Sequence, residues 1–154
     1  MQGVAILPEG SDASGPVARG RGVPDDARAD EGVYWDLGFE PVVRGGGDAL
    51  SRMRVRLEEV ERSLDLALAA GSVFLPEPAF DPGLTGRGEA TIETPRGTAS
   101  LHVTLEVGAV SDLEIHTPST HHLRLVERLA DDQELAEFLV GVASLDVSPW
   151  EVVL

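Results

Sequence analysis

The sequence predicts an α+β fold: one long amphipathic helix, a small antiparallel sheet and two C-terminal helices. Three observations carry this. Residues 48–70 place apolar side chains at helical spacing, residues 99–107 alternate apolar and polar positions, and residues 117–142 return to a helical pattern. No internal repeat is present.

The helix over Asp48–Ala70 is the clearest element. Leu50, Met53, Leu57, Val60, Leu64 and Ala67 form one apolar stripe, and arginines and glutamates fill the other faces. Asp48 is placed to cap its start and Gly71 to end it. Glu58 and Arg62 stand at i, i+4 in the favourable order. A lone helix of this kind is marginal, so the stripe must pack on something.

Ala99, Leu101, Val103, Leu105 and Val107 alternate with polar residues and predict a half-buried strand. Ala90–Glu93 precedes it across Pro95-Arg96-Gly97. Gly108–Asp112 reads as a turn into a third short strand, Leu113–Thr117. Thr117-Pro118 is an N-cap followed by proline at the first helical position. That helix is expected to run to about Ala130. The last helix, capped by Asp131 or Asp132, carries Leu135, Phe138, Leu139 and Val142, and Ser144–Leu154 follows as a tail.

The rest is irregular. Most of the 17 glycines and 10 prolines crowd residues 1–47 and 71–97. The chain divides into an extended, loop-rich segment, 1–47, expected to pack poorly by itself, and a domain over 48–154. Within the first, Ser11–Arg28 has no period, and Tyr34, Trp35, Leu37 and Phe39 form either a short strand or an apolar anchor.

Composition removes several functions. The net charge is −15, with 12 basic residues, all arginine, against 27 acidic ones. A phosphate backbone and an anionic membrane surface would both repel such a chain, so neither nucleic acid nor direct membrane insertion is expected. There is no cysteine, which excludes disulfides, thiolate zinc sites and cysteine-held iron–sulfur clusters. No apolar run reaches the ~18 residues of a membrane span, and no signal peptide is recognisable, so a cytoplasmic protein is expected.

The individual candidates are weak alone. Arg96 reads as a turn arginine paired with Glu93 or Glu89. The histidines His102, His116, His121 and His122 lack the three or four convergent ligands of a metal site. Asp146 and Glu151 have nothing to raise a pKa and make a poor acid/base pair. Gly45-Gly46-Gly47 lacks the lysine of a phosphate loop.

Five segments nevertheless share an order. They are Ser14–Val23 with Arg19; Gly47-Asp48 followed by Arg52, Arg56 and Glu58; Glu93-Thr94-Pro95-Arg96-Gly97 with His102; Thr117-Pro118-Ser119 through His122; and Ser144-Leu145-Asp146 running on to Glu151. In that order they resemble the C-terminal part of the large-subunit family that includes [NiFe] hydrogenases and the quinone-site subunit of complex I. Hydrogenases of that family close on D-P-C-x-x-C; here Ser148 and Glu151 stand at the cysteine positions, and Glu151-Val152 leans toward the complex I ending.

The resemblance implies an oxidoreductase complex in which this chain is a metal-free, non-catalytic part of a large subunit, shaping the interface to an iron–sulfur subunit. Iron–sulfur clusters or quinone would belong to partner subunits, with no cofactor in this chain. The implied partners are an iron–sulfur small subunit and an N-terminal large-subunit part, or further copies of the chain, at the cytoplasmic face of a membrane. The alternative is a free-standing interaction or assembly module derived from the family. The residues the resemblance singles out are Arg19, Asp48, Arg52, Arg56, Glu93, Arg96, His102, His122, Asp146 and Glu151.

Overall fold

A computed structural model describes residues 1–74, 76–77, 81–131 and 133–152. Gly15–Arg19 form helix α1 and Gly32–Asp36 form α2, with a single 3₁₀ turn at Ala27–Asp30 between them. The strand alternative for Tyr34, Trp35, Leu37 and Phe39 is not realised. Tyr34 and Trp35 lie on α2, and Phe39 is buried with both rings edge-on to it at 5.9 and 6.1 Å. The guanidinium of Arg28 covers the Phe39 ring at 4.6 Å. The anchor reading is the one that holds.

In the folded chain the N-terminal segment packs against the rest. Ala5, Leu7 and Val17 join Ala49, Leu125, Leu129 and Leu145 in one core, so residues from both ends of the chain close it. The backbone of α1 is tied to the stretch before the long helix by Arg44 N–H donating to Arg19 O (2.9 Å) and Gly47 N–H to Gly20 O (2.7 Å). Loop composition signalled irregular backbone correctly. It carried no information on burial, because two of the carboxylates that let Arg19 be buried, Glu59 and Glu93, come from distant parts of the chain.

Helix α3 spans Ala49–Ala70. Asp48 caps it, its carboxylate accepting from Ser51 N–H at 2.8 Å, and Gly71 ends it with φ +62°. The helix is as predicted, but its orientation is not. Ala49, Arg52 and Val55 face inward, whereas Leu57, Val60 and Leu64 are about three-fifths exposed (62%, 61% and 62%). Glu58 pairs with Arg44 rather than Arg62.

The sheet has the order β1-β2-β3, all antiparallel, from β1 (Gly86–Thr94), β2 (Gly97–Glu106) and β3 (Ala109–His116). Pro95 and Arg96 make the first turn. The second is shorter than predicted: Val107 (φ +51°) and Gly108 (φ +74°) alone reverse the chain, both in the left-handed region that two-residue hairpins favour. The alternation is present, yet the outer sheet stays exposed and β3 is exposed throughout. The base of the sheet near Glu93–Ser100 meets α1, the helix that starts at Pro118 and the 3₁₀ turn, and its far turn is tied to Leu84 and Thr85.

Close approach makes that junction. Gly15 has φ +56°, and a Cβ built on it would stand 2.3 Å from Gly97 Cα. Two glycine backbones therefore touch where α1 meets β2.

Helix α4 runs Pro118–Leu125 and passes through a 3₁₀ turn, Glu127–Leu129, rather than continuing as α to Ala130. Helix α5 (Leu135–Leu145) begins after Glu134, not Asp131; Asp132 lies outside the described residues. Asp146, with φ +55°, ends α5 and turns the chain into α6 (Pro149–Val152), so the predicted tail is largely structured. The α+β architecture holds.

Candidate functional site

The residues drawn together by the fold are charged and buried. Arg19, at the end of α1, has 0% exposure. Its Nη1 lies 2.9 Å from Glu93 Oε1 on β1 and 3.1 Å from Asp26 Oδ2, and also donates to the Asp25 carbonyl. Its Nε is 2.6 Å from Glu59 Oε1 on α3, a charge contact without an aligned N–H. Glu93 Oε2 accepts from Ala27 N–H (3.2 Å) and Thr98 Oγ (3.0 Å), while Arg28 Nη2 holds Asp26 at 2.7 Å. Three carboxylates and two guanidiniums thus join α1, the 3₁₀ turn, α3 and the sheet. Burial raises the Glu59 pKa, with the Arg19 charge opposing.

Deeper along α3, Arg52 is also 0% exposed. Its fork donates to Ser144 Oγ (2.9 Å), Gly47 O (3.0 Å) and Ala5 O (2.8 Å). Burial, followed by the nearby Arg56 charge, pushes its pKa down to about 10, so it stays charged at neutral pH. This arginine is a structural pin whose polar partners are mostly backbone carbonyls.

Arg56, one turn on, donates through Nη1 to Ser144 O at 2.8 Å. Its Nε is 3.9 Å from Asp146 Oδ2, and both Nε and Nη2 lack hydrogen-bond partners among the described residues. Burial lowers its pKa. Arg56, Glu59, Glu93 and Asp146 line an open groove of about 640 Å³ between α3 and the first hairpin turn, with Val60 and Leu64 on its apolar side.

Arg96 departs from its predicted partners. Glu93 is taken by Arg19, and Glu89 sits 3.7 Å from His102 Nδ1. Arg96 instead reaches the C-terminal segment, its Nε donating to Asp146 O at 3.0 Å and its Nη1 to Glu151 Oε1 at 3.2 Å. Glu151 Oε2 also accepts from Ser119 Oγ on α4. Hairpin, α4 and α6 are locked by one arginine.

His122 is buried on α4, where its Nε2 donates to Ser14 O at 3.3 Å. Burial lowers its pKa, against the hydrogen bond to Ser14. His102 is apart from all of this. It lies on the exposed sheet, 5.6 Å ring to ring from His116. Asp48 belongs to the helix start, where burial raises its pKa but hydrogen bonds from Gly3 and Ser51 outweigh it and leave a net lowering.

Among the described residues no group of three or more histidines or carboxylates converges for a metal. The closing segment does not suit a nickel–iron group: Ser148 N–H donates to Ser119 Oγ at 2.9 Å, and Glu151 is held by Arg96 and Ser119. A hydroxyl and an already engaged carboxylate stand where soft thiolates are needed.

Asp26, Arg28 and Glu59 complete the network and are not singled out by sequence, and Ser119 and Ser144, which also join it, lie within the ordered segments without being among the residues singled out. Glu59 follows Glu58 within the R-x-E-E pattern of the long helix and carries a signal; Asp26, in an aperiodic loop, carries none.

The chain as a whole is similar to several known proteins. Residues 8–77 match the family described as "Respiratory-chain NADH dehydrogenase, 49 Kd subunit". The chain is 31% identical over 150 residues to an NADH-quinone oxidoreductase subunit of Geobacillus kaustophilus, covering 90% of this chain and 41% of that one. It is 31% identical over 174 residues to the alpha subunit of the membrane-bound hydrogenase of Pyrococcus furiosus, covering 95% and 40% respectively. Its fold superposes with TM-score 0.81 and 27% identity on a chain from the structure of the membrane-bound sulfane sulfur reductase, an archaeal respiratory membrane complex, covering 98% of this chain and 46% of that one. The chain therefore spans about two fifths of the length of the curated relatives it matches.

Proposed function

Since this chain is homologous to part of the large subunit found in complex I-type oxidoreductases and membrane-bound hydrogenases, we propose that it serves as a metal-free, non-catalytic piece of such a subunit, shaping the interface to an iron–sulfur protein. The redox groups are carried by neighbouring subunits. The chain sits at the cytoplasmic face of a membrane complex, and none of its described helices is long and apolar enough to cross the bilayer.

The observation that carries this reading is the division of labour on α3. Its charged face is spent internally, through Arg19–Glu59 and Arg52–Ser144, while its apolar ridge faces outward. Burying an arginine–carboxylate frame fixes geometry more than it adds stability. A rigid frame with an uncovered apolar ridge fits a part that presents a surface to a neighbour.

A second reading, a free-standing assembly module, is favoured by the core that both ends of the chain close together. One experiment separates the two. A tagged chain is purified from its native host and the co-purifying proteins are identified by mass spectrometry. Recovery of an iron–sulfur subunit together with a separate N-terminal large-subunit part supports the first reading. Recovery of the chain alone, or with proteins of no redox complex, contradicts it and leaves the second.

A further inference from the structure

We infer that the stability of this fold depends on ionic strength and rises as monovalent cations screen its surface. A fold held by exposed ion pairs should behave in the opposite way, because added salt weakens such pairs. The sign is reversed here by where the two kinds of charge lie.

The arginines are drawn inward. Arg19 and Arg52 are buried, and Arg21, Arg28, Arg56 and Arg96 are half-buried, which leaves six of the 12 on the surface. The paired carboxylates lie inside as well. Asp26, Glu58, Glu59, Glu93, Asp146 and Glu151 each pair with an arginine, and each is buried or half-buried. Among the described residues, 17 acidic side chains are exposed against the six exposed arginines, and none of the 17 pairs with an arginine. Three of them, Asp12, Glu89 and Glu114, lie beside a histidine instead.

Salt therefore acts unequally on the two sets. Screening reaches exposed charges and largely spares buried pairs. The attractions sit in the networks of Arg19 and Arg96, out of reach of ions. The repulsions sit at the surface, where the compact state of a chain of charge −15 brings like charges together. Glu61 and Asp65 are exposed like charges at i, i+4 near the end of α3. Asp112 and Glu114, two residues apart on β3, share one face of the exposed sheet.

The test is urea denaturation of the full chain at about pH 8, above the ordinary histidine range. Urea is uncharged and adds no screening of its own. Potassium chloride is raised from about 0.01 M to about 1 M, which shortens the screening length from about 30 Å to about 3 Å. The expected result is an upward shift of the midpoint by roughly 0.5 M urea or more. A variant carrying Glu61→Gln, Asp65→Asn, Glu106→Gln and Asp112→Asn loses four exposed charges that pair with no arginine among the described residues. It should have the higher midpoint at low salt and gain less from added salt. If it does not fold by circular dichroism, Asp65→Asn and Asp112→Asn made singly test the same difference. A midpoint that stays constant or falls as salt is added overturns the inference. An equal gain in parent and variant also overturns it, because the gain would then come from the effect of salt on apolar hydration rather than on charge.

Discussion

Arg19 Nη1 stands 2.9 Å from Glu93 Oε1, joining residues 74 positions apart in the chain. Removing the arginine takes the charge partner from Glu93 and Glu59 and leaves Asp26 with Arg28 alone. Arg19→Met should destabilise the fold by about 3–5 kcal/mol, the usual cost of breaking a buried pair from one side. Glu93→Gln should cost less, about 1–3 kcal/mol, because the amide oxygen can still accept from Thr98 or Ala27. Urea denaturation of the three proteins checks the order; equal midpoints would contradict it.

Arg52 is held by shape as well as charge. Its three acceptors, Ser144 Oγ, Gly47 O and Ala5 O, lie in different directions. Lysine keeps the charge but cannot span them. Arg52→Lys should therefore lower stability by roughly 1–3 kcal/mol for each buried acceptor it orphans. A Lys variant with the parent's denaturation midpoint would show that charge alone is needed.

Gly15 permits the contact between α1 and the sheet. Gly15→Ala combines a left-handed backbone with a Cβ placed 2.3 Å from Gly97 Cα. The helix and hairpin must separate, so the loss should exceed the roughly 1–3 kcal/mol expected of backbone strain alone. Hydrogen exchange should show faster amides near Gly97, and unchanged exchange there would refute the role of the contact.

Much of the fold is legible in the sequence because it rests on local patterns. The extent of α3, the Asp48 cap, the strand alternation and Pro118 at the start of α4 each follow from neighbours within a few residues. The side of α3 that faces inward is not legible. The apolar stripe at Met53, Leu57, Val60 and Leu64 predicts burial, yet Arg52 is buried there because Ser144, 92 residues away, meets it. The pairing of Arg96 is hidden for the same reason: its partners Asp146 and Glu151 arrive through the turn after α5. Partners this distant leave no periodicity in the sequence. The order of the family segments points to Arg19, Glu93, Arg96 and Glu151 without indicating which pairs they form, and it groups His102 with residues that the fold holds elsewhere.

His122 makes stability depend on pH. Its ordinary value is 6.5, and burial lowers it in the folded chain. Between the folded value and 6.5 the unfolded chain binds a proton that the folded chain refuses. Stability therefore rises with pH through that window, is fully present above 6.5 and is lost as pH falls toward the folded value. Replacing the residue, His122→Gln, should flatten the slope of unfolding free energy just below that window's upper edge. The same slope in both proteins would assign it to another group.

The most direct measurement is native mass spectrometry of the particle extracted from host membranes with the tagged chain. The interface reading predicts one copy of this chain bound in fixed ratio to an iron–sulfur subunit, with iron in the particle and none on this chain when it is released. A mass equal to the chain alone, or to multiples of it, would contradict that reading.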